Sequence, residues 1–236
     1  VSPLTHATCD AVVAIFETGH LPTIASYSTA TVLADGAGIS YGRAQATLST
    51  LQDVIDAYTA AAGAYAGEIR RALAGHRLED ARVFRSEDGA AVWVRDTLAV
   101  LRLAGSDSVM RDVQDDVFSR AYFQPAAAYA VALGCVLPLT VLALYDTAIQ
   151  SGLSRVDKLR PTFPARPPVA GGDERTWTTQ LLLARRAWLA GYVSADAAKQ
   201  RLVRSTVYRV TELLGLVQAG RWDLTRPLTV RGVVIS

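Results

Sequence analysis

From Ala126 to Tyr145 the chain runs for twenty residues without a charged side chain. A run of that length is nearly enough to span a bilayer. Gly134 and Pro138 interrupt it, however, Asp146 follows at once, and no basic flank orients it. The segment therefore reads as two buried helices meeting near Gly134 to Pro138, not as a membrane span. Helices with no polar face need protein on every side, so the rest of the chain must enclose them. The composition allows this. Of 236 residues, half are hydrophobic and only 19% are charged, which suits one large domain or two lobes sharing a core and argues against disorder. Residues 1–236 are accordingly read as a single domain.

The local signals are mostly helical. Ser2 can cap a helix over Pro3 to Glu17 that Gly19 ends. His20 to Tyr27 reads as a loop. The β-prone run Ser28 to Leu33, the turn Asp35-Gly36-Ala37-Gly38 and a returning strand Ile39-Ser40-Tyr41 make a short hairpin or small sheet. A helix starts at Ser49 or Thr50, with Val54, Ile55 and Tyr58 at helical spacing. Ala64 to Leu73 and Ala90 to Leu103 are amphipathic, and Ser106 offers a cap for Asp107 to Phe123. Pro161 to Gly172 is read as a long ordered loop. Helices over Arg175 to Leu189 and Ala195 to Val217 follow, and a β-like tail holds Val230, Val233, Val234 and Ile235.

The formal net charge of +2 comes with no run of Lys or Arg, so nucleic acid is not indicated as a partner. Cys9 and Cys135 lie in apolar surroundings and read as buried thiols in preference to a disulfide. His6, His20 and His76 are scattered, and no metal-ligand spacing exists, so no metal and no cofactor is expected. Trp93, Trp177, Trp188 and Trp222 could stack on sugar rings, but core packing is the simpler role for each. The start Val1-Ser2-Pro3 carries no initiator Met, so a leader or fused module is expected to lie outside this chain.

Two carboxylates stand apart. Glu17 sits at the end of an apolar helix, half out of water. Asp35 sits on a tight glycine-rich turn open to solvent. Carboxyl groups in unlike environments can hold different protonation states at one pH, the arrangement glycosidic bond hydrolysis uses.

Three ordered anchors give these residues a family context. Phe16-Glu17 is followed eighteen positions later by Asp35-Gly36-x-Gly38, with Ser40 five beyond the Asp. Tyr122-Phe123-x-Pro125 leads to Leu144-Tyr145-Asp146-Thr147-Ala148-Ile149. Gly171-Gly172-Asp173-Glu174 precedes Leu183-Ala184-Arg185, and Ala219-Gly220-x-x-Asp223-Leu224-x-x-Pro227-Leu228 follows. Through most of its length the chain resembles the family 46 glycoside hydrolases, the chitosanases of the lysozyme-like superfamily.

The resemblance implies a mainly α, two-lobed lysozyme-like fold with a small β-hairpin and a substrate cleft between the lobes. It implies an endo-acting, inverting hydrolase of a β-1,4-linked amino-sugar polymer. Glu17 would be the general acid, Asp35 the general base and Ser40 the holder of the attacking water. Asp146 and Arg185 would form a buried ion-pair network behind Glu17, with Arg185 beside the acid. An inverting enzyme needs its two carboxyls about 6.5–9.5 Å apart to admit the water. Tyr41, Arg43, Gln45, Thr47 and Asp53 are substrate-binding candidates.

The pattern also departs from the family. An acidic residue commonly opens the helix after the hairpin, where this chain has Thr50 or Gln52. Asp53 and Asp56 lie nearby, one helical step out of register. Tyr41-Gly42-Arg43-Ala44-Gln45 is similar to the Tyr-Gly-x-x-Gln segment of lysozyme-like peptidoglycan enzymes, and Arg43 would suit an anionic glycan. The partner is thus a polysaccharide, chitosan or the peptidoglycan glycan strand. A muramidase and a catalytically silent glycan-binding domain are the alternatives. A monomer acting outside the cell or at a cell wall is expected.

Overall fold

The computed structural model describes residues 2–236. The first helix, α1 (Pro3–Thr18), forms where capping predicts. Ser2 accepts from the Thr5 backbone N–H, Pro3 occupies the first turn, and Gly19 ends the helix at φ +83° while donating to the Ile15 carbonyl. Its second half, from Cys9 to Phe16, is almost wholly inaccessible to solvent apart from Asp10.

Residues Pro22–Ala121 form one compact unit. The expected loop at its start contains a short helix, α2 (Ile24–Ser28), because Thr23 and Ser26 close a reciprocal capping box. Strands β1 (Ala30–Leu33), β2 (Gly38–Tyr41) and β3 (Ala46–Thr47) make an antiparallel sheet in that order, with Thr31 opposite Ser40 and Ser40 opposite Thr47. All four residues of β2 are buried.

Helices α3 (Leu48–Ala60) and α4 (Ala66–Ala72) follow, then a 3-10 segment over Leu78–Val83, α5 (Val92–Ala104) and α6 (Ser108–Phe118). The cap of α6 is Asp107, not Ser106. One Asp107 oxygen accepts from the Val109 N–H, and the other accepts from the Tyr58 hydroxyl at 2.6 Å and the Ala64 N–H at 3.0 Å. Ser106 instead turns its hydroxyl back to the Leu103 carbonyl.

The second unit joins residues 2–21 to Tyr122–Ser236. A π-helical turn over Ser119–Phe123 leads into α7 (Gln124–Ala132), and Gly134 at φ +75° separates it from α8 (Pro138–Ser151). The uncharged run is thus two helices broken at the expected place. Every residue of α8 from Leu139 to Ala148 is buried. Against it pack α9 (Ser154–Leu159), α10 (Glu174–Ala190) and, beyond α11 (Ala197–Ser205), α12 (Val207–Gln218). The proline-rich connection before α10 holds only two single 3-10 turns.

The single helix expected over Ala195 to Val217 is two, broken at Thr206. The Ser205 and Thr206 hydroxyls donate to the Leu202 and Val203 carbonyls, competing with the backbone ladder. Strands β4 (Leu228–Val230) and β5 (Val233–Ile235) close the chain as an antiparallel hairpin with Leu228 opposite Ile235.

The chain is therefore mainly α with small antiparallel sheets. Cys9 and Cys135 are buried free thiols; burial pushes the Cys135 thiol up to about 12. Trp177 and Trp222 are core residues. Trp93 lies against the His76 ring, and Trp188 carries the Arg155 guanidinium on its face. No described helix is long and apolar enough to cross a membrane.

Gly42 shows how tightly the β2–β3 turn is built. Its φ is +78°, and a Cβ there would stand 2.1 Å from the Gln114 Oε1. Gln114 cannot step aside cheaply, because it accepts from the Arg43 N–H and donates to the Tyr27 carbonyl. Gly42→Ala is expected to cost about 3 kcal/mol, combining left-handed strain with overpacking. Urea unfolding checks this, and Gln114→Ala should recover only the overpacking part.

Candidate active site

Glu17 occupies the last turn of α1, and its backbone is tied by the Tyr208 hydroxyl, which donates to the Phe16 carbonyl. Its side chain is 25% exposed, and its Oε1 accepts from Arg209 Nη1 at 2.5 Å. Arg209, on α12, is only 4% exposed and lies over the Phe16 ring. Its Nε and Nη2 reach Asp146 Oδ1 at 2.9 and 2.5 Å. From the other side Arg185 Nη2 meets Asp146 Oδ2 at 2.7 Å, with neither side chain exposed. The same nitrogen donates to the Gln150 side-chain oxygen.

Burial alone would raise the Asp146 pKa, but the Coulombic pull of Arg209 and then Arg185 holds it below the usual carboxylate range. Burial would discharge Arg209, yet Asp146 and Glu17 together push it above the ordinary arginine value. For Arg185 burial outweighs Asp146, and the shift is downward.

The expected pairing of Asp146 with Arg185 is present. The arginine touching Glu17 is different: it is Arg209, and Arg185 stands one contact further back. Sequence reading missed Arg209, although a signal existed. It falls four residues before Leu213, in register with the stripe of Val210, Leu213 and Leu214 that α12 buries. A charge on an apolar stripe needs a buried counter-charge.

Asp35 lies exposed on the turn between β1 and β2. Its Oδ1 accepts from the Ala37 N–H at 2.9 Å. Gly36 and Gly38 take φ +83° and +84°, and the Gly36 N–H closes the turn on the Leu33 carbonyl. The carboxylate is thus set by its own backbone, with one oxygen engaged.

The neighbouring candidates divide. Ser40 is fully buried, and its hydroxyl donates to Gln45 Oε1 at 2.8 Å while Gln45 Nε2 donates to the Gly42 carbonyl. In this structure Ser40 braces the β2–β3 turn and offers no surface to a water in solvent. Its position on a strand buried on both faces is the reason. Tyr41 is likewise fully buried and presents no surface in this structure; burial pushes its hydroxyl pKa upward.

Arg43 is buried against Asp115 of α6, so its charge is neutralised locally and not presented to a polymer. Gln114 and Asp115, which organise Tyr41 to Arg43, were not visible from sequence, being polar residues on an ordinary amphipathic helix. Gln45 and Thr47 are half-buried, Thr47 at the N-cap of α3. Asp53 is exposed on α3. Together with Asp56, Ala57, Val117, Arg120 and Ala121 it lines a recess of about 430 Å³. Asp56 accepts from Gln52 at 2.8 Å. No cluster of His, Cys, Asp and Glu suited to a metal occurs among the described residues.

A helix-end carboxylate backed by buried ions, and a second carboxylate on a solvent-facing turn, are the functional groups glycosidases employ. Over residues 11–228 the chain matches the model for glycosyl hydrolase family 46, and it belongs to that family. It is 30% identical over 131 residues to a chitosanase from Streptomyces sp. strain N174, an alignment covering 53% of this chain and 44% of that protein. Its fold is similar to the Gynuella sunshinyii family 46 chitosanase solved with chitotetraose. The TM-score is 0.79 and the identity 27%, over all of this chain and 98% of the other. The native chitosanase of Bacillus subtilis MY002 superimposes equally well, with TM-score 0.79 at 24% identity and full coverage of both chains, and so shares the fold.

The ion network has a measurable signature. Arg209→Met strands Asp146 with one partner in the core and is expected to cost about 3–5 kcal/mol in urea unfolding. Because the folded Asp146 pKa is depressed below its ordinary 3.8, its contribution is complete above that value. It is lost as pH falls through the lower folded value. The stability gap between wild type and Asp146→Asn should therefore be constant from pH 7 to about 5 and narrow below about pH 4.

Proposed function

We propose that this protein is an endo-acting, inverting hydrolase of chitosan, a β-1,4-linked glucosamine polymer, with Glu17 as general acid and Asp35 as general base. The observation that carries the reading is Glu17 itself, a partly exposed carboxylate held on one oxygen by an arginine that is shared with a buried aspartate. Arg209 fixes Oε1, so Oε2 is the oxygen left to carry the proton. Glu17 delivers that proton to the glycosidic oxygen as the bond to the anomeric carbon breaks. Asp35 takes a proton from the water that attacks the same carbon from the opposite face. The product anomer is inverted, and the Glu17 carboxylate left behind already has its guanidinium partner.

Three points favour chitosan over an anionic glycan. The family 46 relatives are chitosanases, and the Gynuella protein was solved with chitotetraose. Arg43, the cation that would suit peptidoglycan, is consumed by Asp115. Asp53 and Asp56 stand one turn apart on the wall of an open recess, where carboxylates suit an ammonium group. A polymeric substrate of this kind would be met outside the cell, and we propose that the enzyme acts there.

Digestion of chitosan and of purified peptidoglycan in parallel, with products identified by mass, tests the reading. Glucosamine oligomers are expected from chitosan, with the α-anomer appearing first by NMR. Muropeptides with new reducing ends would overturn the substrate. Glu17→Gln and Asp35→Asn should each lower kcat by about 10²–10⁴-fold with thermal stability retained, since the amides keep shape and lose proton transfer. Asp53→Asn should raise KM about two- to fivefold, because an exposed ion pair is worth about 0.2–1 kcal/mol.

A further inference from the structure

The Asp35 turn is short and glycine-rich, and Asp35 itself is exposed, which alone would leave a base poorly aimed. A second segment of the same unit reaches it. The 3-10 segment Leu78–Val83 packs on β2, and from it Arg82 Nε donates to the Gly36 carbonyl at 3.1 Å. The Arg82 stem covers Gly38 so closely that a Cβ there would lie 3.4 Å from its Cγ. Arg85 follows. Its Nη1 donates to the Arg82 and Phe84 carbonyls at 2.6 and 3.0 Å, and its guanidinium lies 3.2–3.3 Å from where a Gly36 Cβ would stand.

The carbonyl that Arg82 holds belongs to the peptide group joining Gly36 to Ala37. The N–H of that same peptide group donates to Asp35 Oδ1. One rigid plane therefore has the arginine at one end and the carboxylate at the other. Fixing the carbonyl fixes the N–H, and a guanidinium on the oxygen polarises the peptide and strengthens its donation. Among the described residues no other donor reaches the Asp35 carboxylate, so this plane decides which oxygen is held and which faces a water.

We infer that Arg82, buttressed by Arg85, is a positioning residue for the base: it aims Asp35 through the Gly36–Ala37 peptide. The inference rests on the assignment of Asp35 as base. It predicts a selective defect. Removing Arg82 leaves the turn formed, because the Leu33 carbonyl and the two left-handed glycines remain, but lets the peptide plane swing. Misaiming a reacting group is costly in rate and not in ground-state binding.

The experiment compares wild type, Arg82→Ala, Arg82→Lys and Arg85→Ala on chitosan, with amide hydrogen exchange over residues 33–41 measured on each. For Arg82→Ala, kcat should fall about ten- to a hundredfold with KM within about twofold. Exchange should rise at Ala37 and not in α3 or α5. Guanidinium ion at low, non-denaturing concentration should restore part of kcat to Arg82→Ala and none to Asp35→Asn. Arg82→Lys should remain impaired, since an ammonium lacks the Nε geometry. Arg85→Ala should show the same pattern in weaker form.

Unchanged kcat and exchange in Arg82→Ala would overturn the inference, and so would a broad loss of protection with no rescue. If wild type does not cleave chitosan, the assignment of Asp35 fails on its own, and Ala37 exchange still decides whether Arg82 holds the plane.

Discussion

The most demanding interaction in this protein is the one around Asp146. A carboxylate with no exposure is tolerable only if cations come to it, because burying an unpaired charge costs far more than a fold of this size can absorb. Two arginines come, from α10 and α12, and each must be buried to do so. Their charges exceed that of Asp146 by one, and the surplus is directed at Glu17. Formally, two negative and two positive side chains cancel. The exposed end of that set is the residue assigned as acid, so the same electrostatic closure that makes the core possible also aims a functional group outward.

The two carboxylates are held by opposite means. Glu17 depends on partners nearly two hundred positions away, with 192 residues separating Arg209 from Glu17 and Tyr208 from the Phe16 carbonyl it holds. Asp35 depends on its own turn and on a segment fewer than fifty residues further along, with a separation of 46 for Arg82 and Gly36. One is set by the packing of helices, the other by hydrogen bonds within a loop. Packed helices have few alternative arrangements, whereas a solvated turn has many. The extra arginine contacts at the turn answer that difference.

Much of this was legible in the sequence because it rests on local rules. Ser2, Pro3 and Gly19 delimit α1, the Gly134 to Pro138 break divides α7 from α8, and Asp-Gly-x-Gly marks the turn. What was not legible depends on distant partners. Nothing near Arg43 announces that Asp115 will neutralise it, and nothing near Ser40 or Tyr41 tells that both faces of β2 are covered. Alternation along a strand assumes one wet face, and β2 has none. Arg209 was readable in principle, as a charge on an apolar stripe, but the identity of its partners was not. The break between α11 and α12 turned on two hydroxyls, whose competition with the helix ladder is weak enough to go either way from sequence alone.

The order of the chain gives one of these features a temporal meaning. Residues 22–121 form their unit from a continuous stretch, so the contacts within it are all available once that stretch is made. The other unit is assembled from both sides of it. During synthesis α1 emerges before the intervening unit, carrying its buried side chains and Glu17, but its arginine, the tyrosine that ties its last turn and the Arg231 that reaches the Ile15 carbonyl all come after that unit. Nascent α1 must therefore wait, exposed or sheltered by other means, while the intervening unit matures. A chain that stops before α12 leaves Glu17 without its counter-ion, so the setting of the carboxylate assigned as acid is completed only once Arg209 has been made.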